Sequence, residues 1–133
     1  RDVNFDVEPF KCWRDSSSSN RIILLEELSD PSGLYSAFDC MVSSSVYGEA
    51  FPNVIAEALA SGLRVVGTEI GDAASLISEN GSVVPAGDVS ALEIAMLEES
   101  AYESDGNRLP KIGTQYTLAA MNAGYREIWS ECI

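Results

Sequence analysis

The chain has no histidine and little positive charge: eight lysines and arginines stand against 21 aspartates and glutamates, for a formal net charge of −13. No site in this stretch can be built on an imidazole. So acidic a surface repels phosphate backbones at long range, which argues against nucleic acid or an anionic membrane surface as a main partner. One nucleotide held locally by backbone groups is still allowed. Cysteine is scarce as well. Cys12, Cys40 and Cys132 are odd in number and lack metal-type spacing, so they are read as reduced, cytosolic and structural. No apolar run approaches the roughly 20 residues that span a bilayer. The start, Arg1-Asp2-Val3-Asn4, has neither a methionine nor an apolar signal region, so the sequence is expected to be a piece of something longer. There are no internal repeats, and Ser16–Ser19 is the one low-complexity stretch.

What is present fits one globular domain: 133 residues, 46% hydrophobic and 22% charged. Residues 1–20 read as a partial leading segment and a serine-rich loop. There Phe5, Val7, Phe10 and Trp13 could line a helix face, but Pro9 interrupts it. From residue 21 the pattern is regular. Arg21–Leu25 is a continuous apolar run suited to a strand buried on both faces. Asp30-Pro31 opens a short helix to about Phe38, and Cys40–Ser43 is a second strand. A polar loop to Tyr47 follows. Phe51–Ala60 then reads as a helix with Pro52 at its start and Gly62 just past its end. Leu63–Gly67 is the third strand, and Gly71-Asp72 opens a helix to about Ile77. Gly81–Val84 is the fourth strand, and Val89–Ser100 a helix entered from Pro85-Ala-Gly-Asp88. Tyr102–Gly113 is loop-rich, and Thr117–Glu131 is a terminal helix striped by Leu118, Met121, Tyr125 and Trp129. Strands alternating with helices predict an α/β fold, a Rossmann-like parallel sheet with helices on both faces, over residues 21–133.

In such folds ligands sit beyond the carboxyl ends of the strands, at helix N-termini. The best-equipped junction is Ser43–Glu57. Free amides of Phe51, Asn53 and Val54 would point into the crevice there, and the helix dipole adds about half a positive charge, which suits a diphosphate. Glu49 lies just before the helix and Glu57 about one turn inside it, four residues past Asn53 and on the same face. A carboxylate one turn in can chelate two ribose hydroxyls, and one before the helix would sit near a sugar beyond the phosphates. Two glutamates eight positions apart are by themselves more often solvated surface than site. Their setting between Gly48, Phe51-Pro52 and Gly62 gives the pair its meaning.

The segment Tyr47-Gly-Glu-Ala-Phe-Pro-Asn-Val-Ile-Ala-Glu-Ala-Leu-Ala-Ser-Gly-Leu-Arg-Val-Val66 resembles the E-x7-E segment of glycosyltransferase family 4, retaining enzymes of the GT-B fold. The likeness runs from Arg21 to Trp129. Asp30 to Asp39 is similar to the family's segment before the penultimate strand, Thr68–Ala74 to its "TDVGDAA", and Gly81–Leu92 to its "G.VVP..D...L". The resemblance implies the donor-binding, C-terminal half of a GT-B enzyme, with the N-terminal acceptor domain absent. It implies that Glu49 bonds the donor sugar and stabilises charge at the anomeric centre. Glu57 would hold the ribose. Ala50, Phe51, Pro52, Asn53 and Val54 would form the donor site, their amides facing the diphosphate leaving group. It further implies transfer of a hexose from a nucleotide-diphosphate sugar to a polysaccharide or glycolipid acceptor of a bacterial cell surface. No metal or other cofactor is expected. The location implied is cytoplasmic, peripheral at the inner membrane face through the absent domain.

The sequence also departs from the family. The arginine and lysine that grip phosphate lie on a βα unit this chain does not contain. Where relatives read "LLGERSD", Glu26 and Leu28 replace glycine and arginine at the nucleobase pocket. Ser61 and Glu69 replace a cysteine and an aspartate. Other residues read more plainly: Asp72 as a helix cap, Glu26 and Glu27 as a solvated strand end, and the Tyr125–Trp129 stripe as packing, part of it facing the absent domain. Tyr47 suits sugar stacking and packing equally. Two other functions compete. A nucleotide-sugar epimerase of the same architecture would want a histidine. A flavodoxin-like interaction module would leave both glutamates as surface charge.

Overall fold

Three short parallel strands, β1 (Cys40–Ser43), β2 (Arg64–Thr68) and β3 (Gly81–Val84), form one sheet in the order β1-β2-β3. Cys40 pairs with Arg64, and Val65 with Gly81. The structure is a computed structural model and describes Ile23, Leu25 and residues 28–102 and 110–131. The chain divides into two compact units, Arg1–Asp30 and Pro31–Ile133, and the sheet belongs to the second. The leading-segment reading, Cys12, Cys132, Glu26, Glu27 and most of the Tyr102–Gly113 loop lie outside the described residues. So does most of the first predicted strand. Its two described residues, Ile23 and Leu25, carry no strand and are exposed. An apolar run becomes a doubly buried strand only where layers cover both its faces.

The second unit continues with α1 (Ser32–Tyr35), α2 (Asn53–Ala60), α3 (Ala73–Ile77), α4 (Val89–Ser100), a 3₁₀ turn (Thr114–Tyr116) and α5 (Leu118–Glu131). The alternation of side chains along β2 separates the two layers. Val65 packs with Ile55, Ala58 and Leu59 of α2 and Leu76 and Ile77 of α3. Val66 faces the other way, against Val84 and Ala95, with Leu92 of α4 beside them. Helices therefore cover both faces of a parallel sheet, as the alternating pattern requires. Ile55, Leu59, Leu63, Val65, Val66 and Ile77 are essentially inaccessible, and each contributes roughly 1.5–3 kcal/mol by leaving water. On the α2–α3 side a β-carbon at Gly67 would lie 2.6 Å from Cδ1 of Ile77, so a side chain at this strand position would have to push the tip of Ile77 aside.

Local chemistry sets the helix ends. Gly62 has φ +79°; its amide donates to the Leu59 carbonyl at 3.0 Å and that of Leu63 to Ala58 at 3.0 Å, a Schellman close to α2. Asp88 caps α4 by accepting from the Ala91 amide at 2.9 Å. The expected cap at Asp72 is not formed: the residue precedes α3, but its side chain accepts no capping bond. Its backbone φ of −85° and ψ of 10° are not the extended values that aim a cap carboxylate at the first-turn amides.

At the amino-terminal end of β2, Arg64 forms an ion pair with Glu99 of α4. Its Nη2 reaches Oε1 at 3.0 Å, Ser82 Oγ donates to the same oxygen at 2.9 Å, and the Tyr102 ring lies 4.3 Å from the guanidinium. The arginine's hydrogen bond holds the Glu99 carboxyl below its ordinary range against the opposing effect of burial. Nothing in the local sequence pattern pointed to this pair, whose members are 35 residues apart. The predicted α5 stripe is real as a pattern but lies open: Leu118, Tyr125 and Trp129 are more than half exposed and Met121 is 49% exposed. Amphipathic spacing names the face that could be buried and is silent on what buries it. Among the described residues no helix is long and apolar enough to cross a membrane.

Candidate functional site

The carboxyl ends of β1, β2 and β3 open into the loops 44–52, 69–72 and 85–88, so three connections leave the sheet at one edge. The first two are tied together. Thr68, 4% exposed at the end of β2, donates its hydroxyl proton to the carbonyls of Ser43 and Ser45. The Asp72 amide donates to the Ala50 carbonyl at 2.9 Å. Gly71, at φ +56°, lies so close to that loop that a β-carbon there would stand 2.5 Å from the Glu49 carbonyl oxygen and closer still to that of Ala50. The backbone ahead of α2 is thus braced from β2 on one side and from the Gly71 turn on the other.

The helix itself begins one residue later than its proline suggested. Pro52 is the N-cap, extended at φ −76° and ψ 94°, and Asn53 is the first helical residue. The carbonyl of Pro52 accepts from the amides of Ile55 and Ala56 at 3.0 and 3.2 Å. Proline fits this position because its ring fixes φ and it has no amide to satisfy. The amides of Phe51, Asn53 and Val54 find no acceptor among the described residues, as expected of a helix that has not yet closed its first turn.

The sequence-predicted residues fall as follows. Ala50, Phe51, Pro52, Asn53 and Val54 form the turn into α2. Pro52 is buried beneath it, Ala50, Asn53 and Val54 are exposed, and Phe51 is 37% exposed. The Phe51 ring lies against Tyr116 of the 3₁₀ turn, centroids 5.7 Å apart and inclined at 49°. Beside this contact an apolar cavity of about 560 Å³ is lined by Phe51, Gln115, Tyr116, Thr117, Leu118 and Met121. Glu49 is exposed in the loop, where Ser45 Oγ approaches its Oε1 at 3.5 Å. Glu57, one turn into α2, presents an exposed carboxylate. Tyr47 is 83% exposed.

Sequence reasoning missed Tyr35. It comes from α1, is buried at 9% exposure, and donates its phenolic proton to Glu57 Oε2 at 2.7 Å. Burial, the bond to Glu57 and the nearby carboxylate together push the phenol up to about 12. The two residues are 22 positions apart, and the one sequence signal was a bulky aromatic just ahead of a strand. In the sequence Gly71-Asp72 marks the opening of a helix, and the close approach of Gly71 to Glu49 and Ala50 is equally out of reach of local pattern.

Chemically, this edge offers three amides without an acceptor among the described residues at a dipole-bearing helix tip, with one carboxylate before the tip and one a turn beyond it. The amides suit an anion, and the carboxylates suit hydroxyl donors. Among the described residues no three histidine, cysteine, aspartate or glutamate side chains gather as a cation site. Comparison with known proteins yields one family match: the sequence model of the glycosyl transferases of group 1 fits residues 8–99. That stretch takes in the whole edge, from the loop before α2 to the α4 helix, and starts and stops earlier than the motif likeness. No curated protein matches the chain.

Proposed function

Since the chain belongs to the glycosyl transferases of group 1, we propose that it is the donor-binding portion of a retaining enzyme of family 4, C-terminal in a GT-B architecture. Its donor is a nucleotide-diphosphate sugar. The diphosphate rests on the amides of Phe51, Asn53 and Val54, Glu57 grasps the ribose, and Glu49 meets the hexose. The observation that carries this reading is the open tip of α2, whose bare amides lie between two exposed carboxylates on one braced connection.

The residues divide the work by where charge develops. As the bond from the anomeric carbon to the diphosphate breaks, negative charge grows on the phosphate oxygens, and oriented amides stabilise it without reorganising. Positive charge grows at the anomeric centre, where the Glu49 carboxylate offsets it. The acceptor oxygen attacks from the face that the diphosphate leaves, and its proton passes to the departing phosphate, so the configuration is kept. Ground-state grip on the ribose positions the donor for that step and adds nothing selective for the transition state. The acceptor is a cell-surface polysaccharide or glycolipid in a bacterium, bound by a further domain. The enzyme works in the cytoplasm, at the inner face of the membrane.

Ligand-detected NMR with UDP, GDP and ADP sugars tests the reading. One nucleotide class binds weakly, and Glu57→Ala abolishes its binding. Binding that survives Glu57→Ala refutes the ribose assignment, and sugar transfer by these 133 residues alone refutes the need for a further domain.

A further inference from the structure

We infer that Tyr35 is a positioning residue for the nucleotide: its phenol pins one oxygen of Glu57, leaving the carboxylate aimed to receive both ribose hydroxyls and making the site selective for ribonucleotides. The inference rests on the reading of Glu57 as the ribose ligand.

Glu57 is exposed on the flank of α2, and an exposed glutamate samples many rotamers. Its carboxylate is nevertheless held from below. Tyr35 belongs to the core cluster with Ile55, Ala58 and Leu59, and its ring meets Phe38 edge-on at 6.4 Å and 85°. Packing therefore fixes the ring, and the ring fixes the hydroxyl. The bond to Oε2, at 2.7 Å, is of the short charge-assisted kind.

The proton count matters. A phenol has one proton, so it occupies one lone pair of Oε2 and leaves the second, together with both on Oε1. That remainder is what a vicinal diol needs, two acceptor positions on one rigid plane. The same placement offers nothing to a sugar lacking both hydroxyls. Burial and the neighbouring carboxylate raise the phenol to about 12, so it stays a donor across the working pH range.

The test compares UDP, GDP and ADP with their 2′,3′-dideoxy counterparts by calorimetry on the whole chain. Tyr35→Phe keeps the ring and removes only the hydroxyl. For whichever ribonucleotide binds, it should weaken affinity about fivefold, the value of one hydrogen bond, and leave the dideoxy analogue unchanged. Equal losses for both sugars, or none for either, overturn the role of Tyr35. If Glu57→Ala itself leaves ribonucleotide affinity unchanged, or if no nucleotide binds, the underlying reading fails instead. A measurement on the unaltered chain guards against a folding defect in the variant. With ¹³Cζ-labelled tyrosine, the Tyr35 resonance should shift with the ribonucleotide and stay fixed with inorganic pyrophosphate. A resonance that ignores the ribonucleotide overturns the inference.

Discussion

Gly71→Ala should cost far more than its size suggests, and Gly87→Ala supplies the matched control. Both glycines have positive φ, +56° and +82°, so alanine at either pays the left-handed penalty, about 1–2 kcal/mol. They differ in surroundings. A β-carbon at Gly87 meets nothing within 4 Å, whereas one at Gly71 stands 2.5 Å from the Glu49 carbonyl oxygen and runs into that of Ala50. Ordinary contact begins at 3.4 Å, so the loop must retreat by about 1 Å or the Gly71 turn must swing away. Either move stretches the Asp72 amide to Ala50 carbonyl bond, now 2.9 Å. Overpacking of this kind costs about 1–3 kcal/mol beyond the backbone term. Urea unfolding should therefore place Gly87→Ala about 1 kcal/mol and Gly71→Ala about 3 kcal/mol below the unaltered chain, with unchanged slopes. Because the displaced backbone carries Glu49 and leads into the α2 tip, Gly71→Ala should also weaken nucleotide binding more than Gly48→Ala. Gly48 is in the same loop, at φ +84°, with open space around it. Equal urea midpoints for Gly71→Ala and Gly87→Ala would refute the bracing argument.

Three further outcomes follow from the geometry. Glu99→Gln strands Arg64 beneath Tyr102 and should cost about 2–3 kcal/mol by urea denaturation, somewhat less than a fully buried pair because Arg64 keeps some water. Since Glu99 is held below the ordinary 4.5, its contribution is complete above that pH and is lost as pH falls through its lowered value; acid titration of stability should flatten there in Glu99→Gln. Asp88→Ala should cost about 1 kcal/mol, the worth of an N-cap, while Asp72→Ala, whose carboxylate caps nothing, should change stability by less than about 0.5 kcal/mol. At high pH the sign reverses: Tyr35 is raised from 10.0 to about 12, so the neutral phenol stabilises the fold fully below pH 10, and that stabilisation is lost as pH climbs toward 12. Tyr35→Phe should remove this alkaline loss, seen as a flatter thermal midpoint between pH 9 and 12 (about the reach of the assay).

Much of the fold was legible because its signals are local. Cys40–Ser43, Gly81–Val84 and Val89–Ser100 appear at their expected bounds, each being an apolar run or a helical stretch bracketed by its own turn residues. The helix behind Pro52 was legible too, apart from its first residue. Proline serves equally well as a cap or as a first helical residue, and only the backbone angles tell the two apart. The short α1 was overdrawn at both ends, because Asp30-Pro31 signals where a helix can begin and not how long it lasts.

What the amino-acid order determined alone is the alternation of strand and helix, the breakpoints at Pro52, Gly62 and Asp88, and a pair of glutamates around a helix tip. Folding decided which of those groups meet anything. It set Tyr35 under Glu57 across 22 residues and Gly71 against the Glu49–Ala50 backbone, and it joined Arg64 to Glu99 across 35. It also left the α5 stripe facing solvent. Such pairings depend on which layers of the sheet come to face one another. A one-dimensional pattern carries the period of a face but no address for its partner.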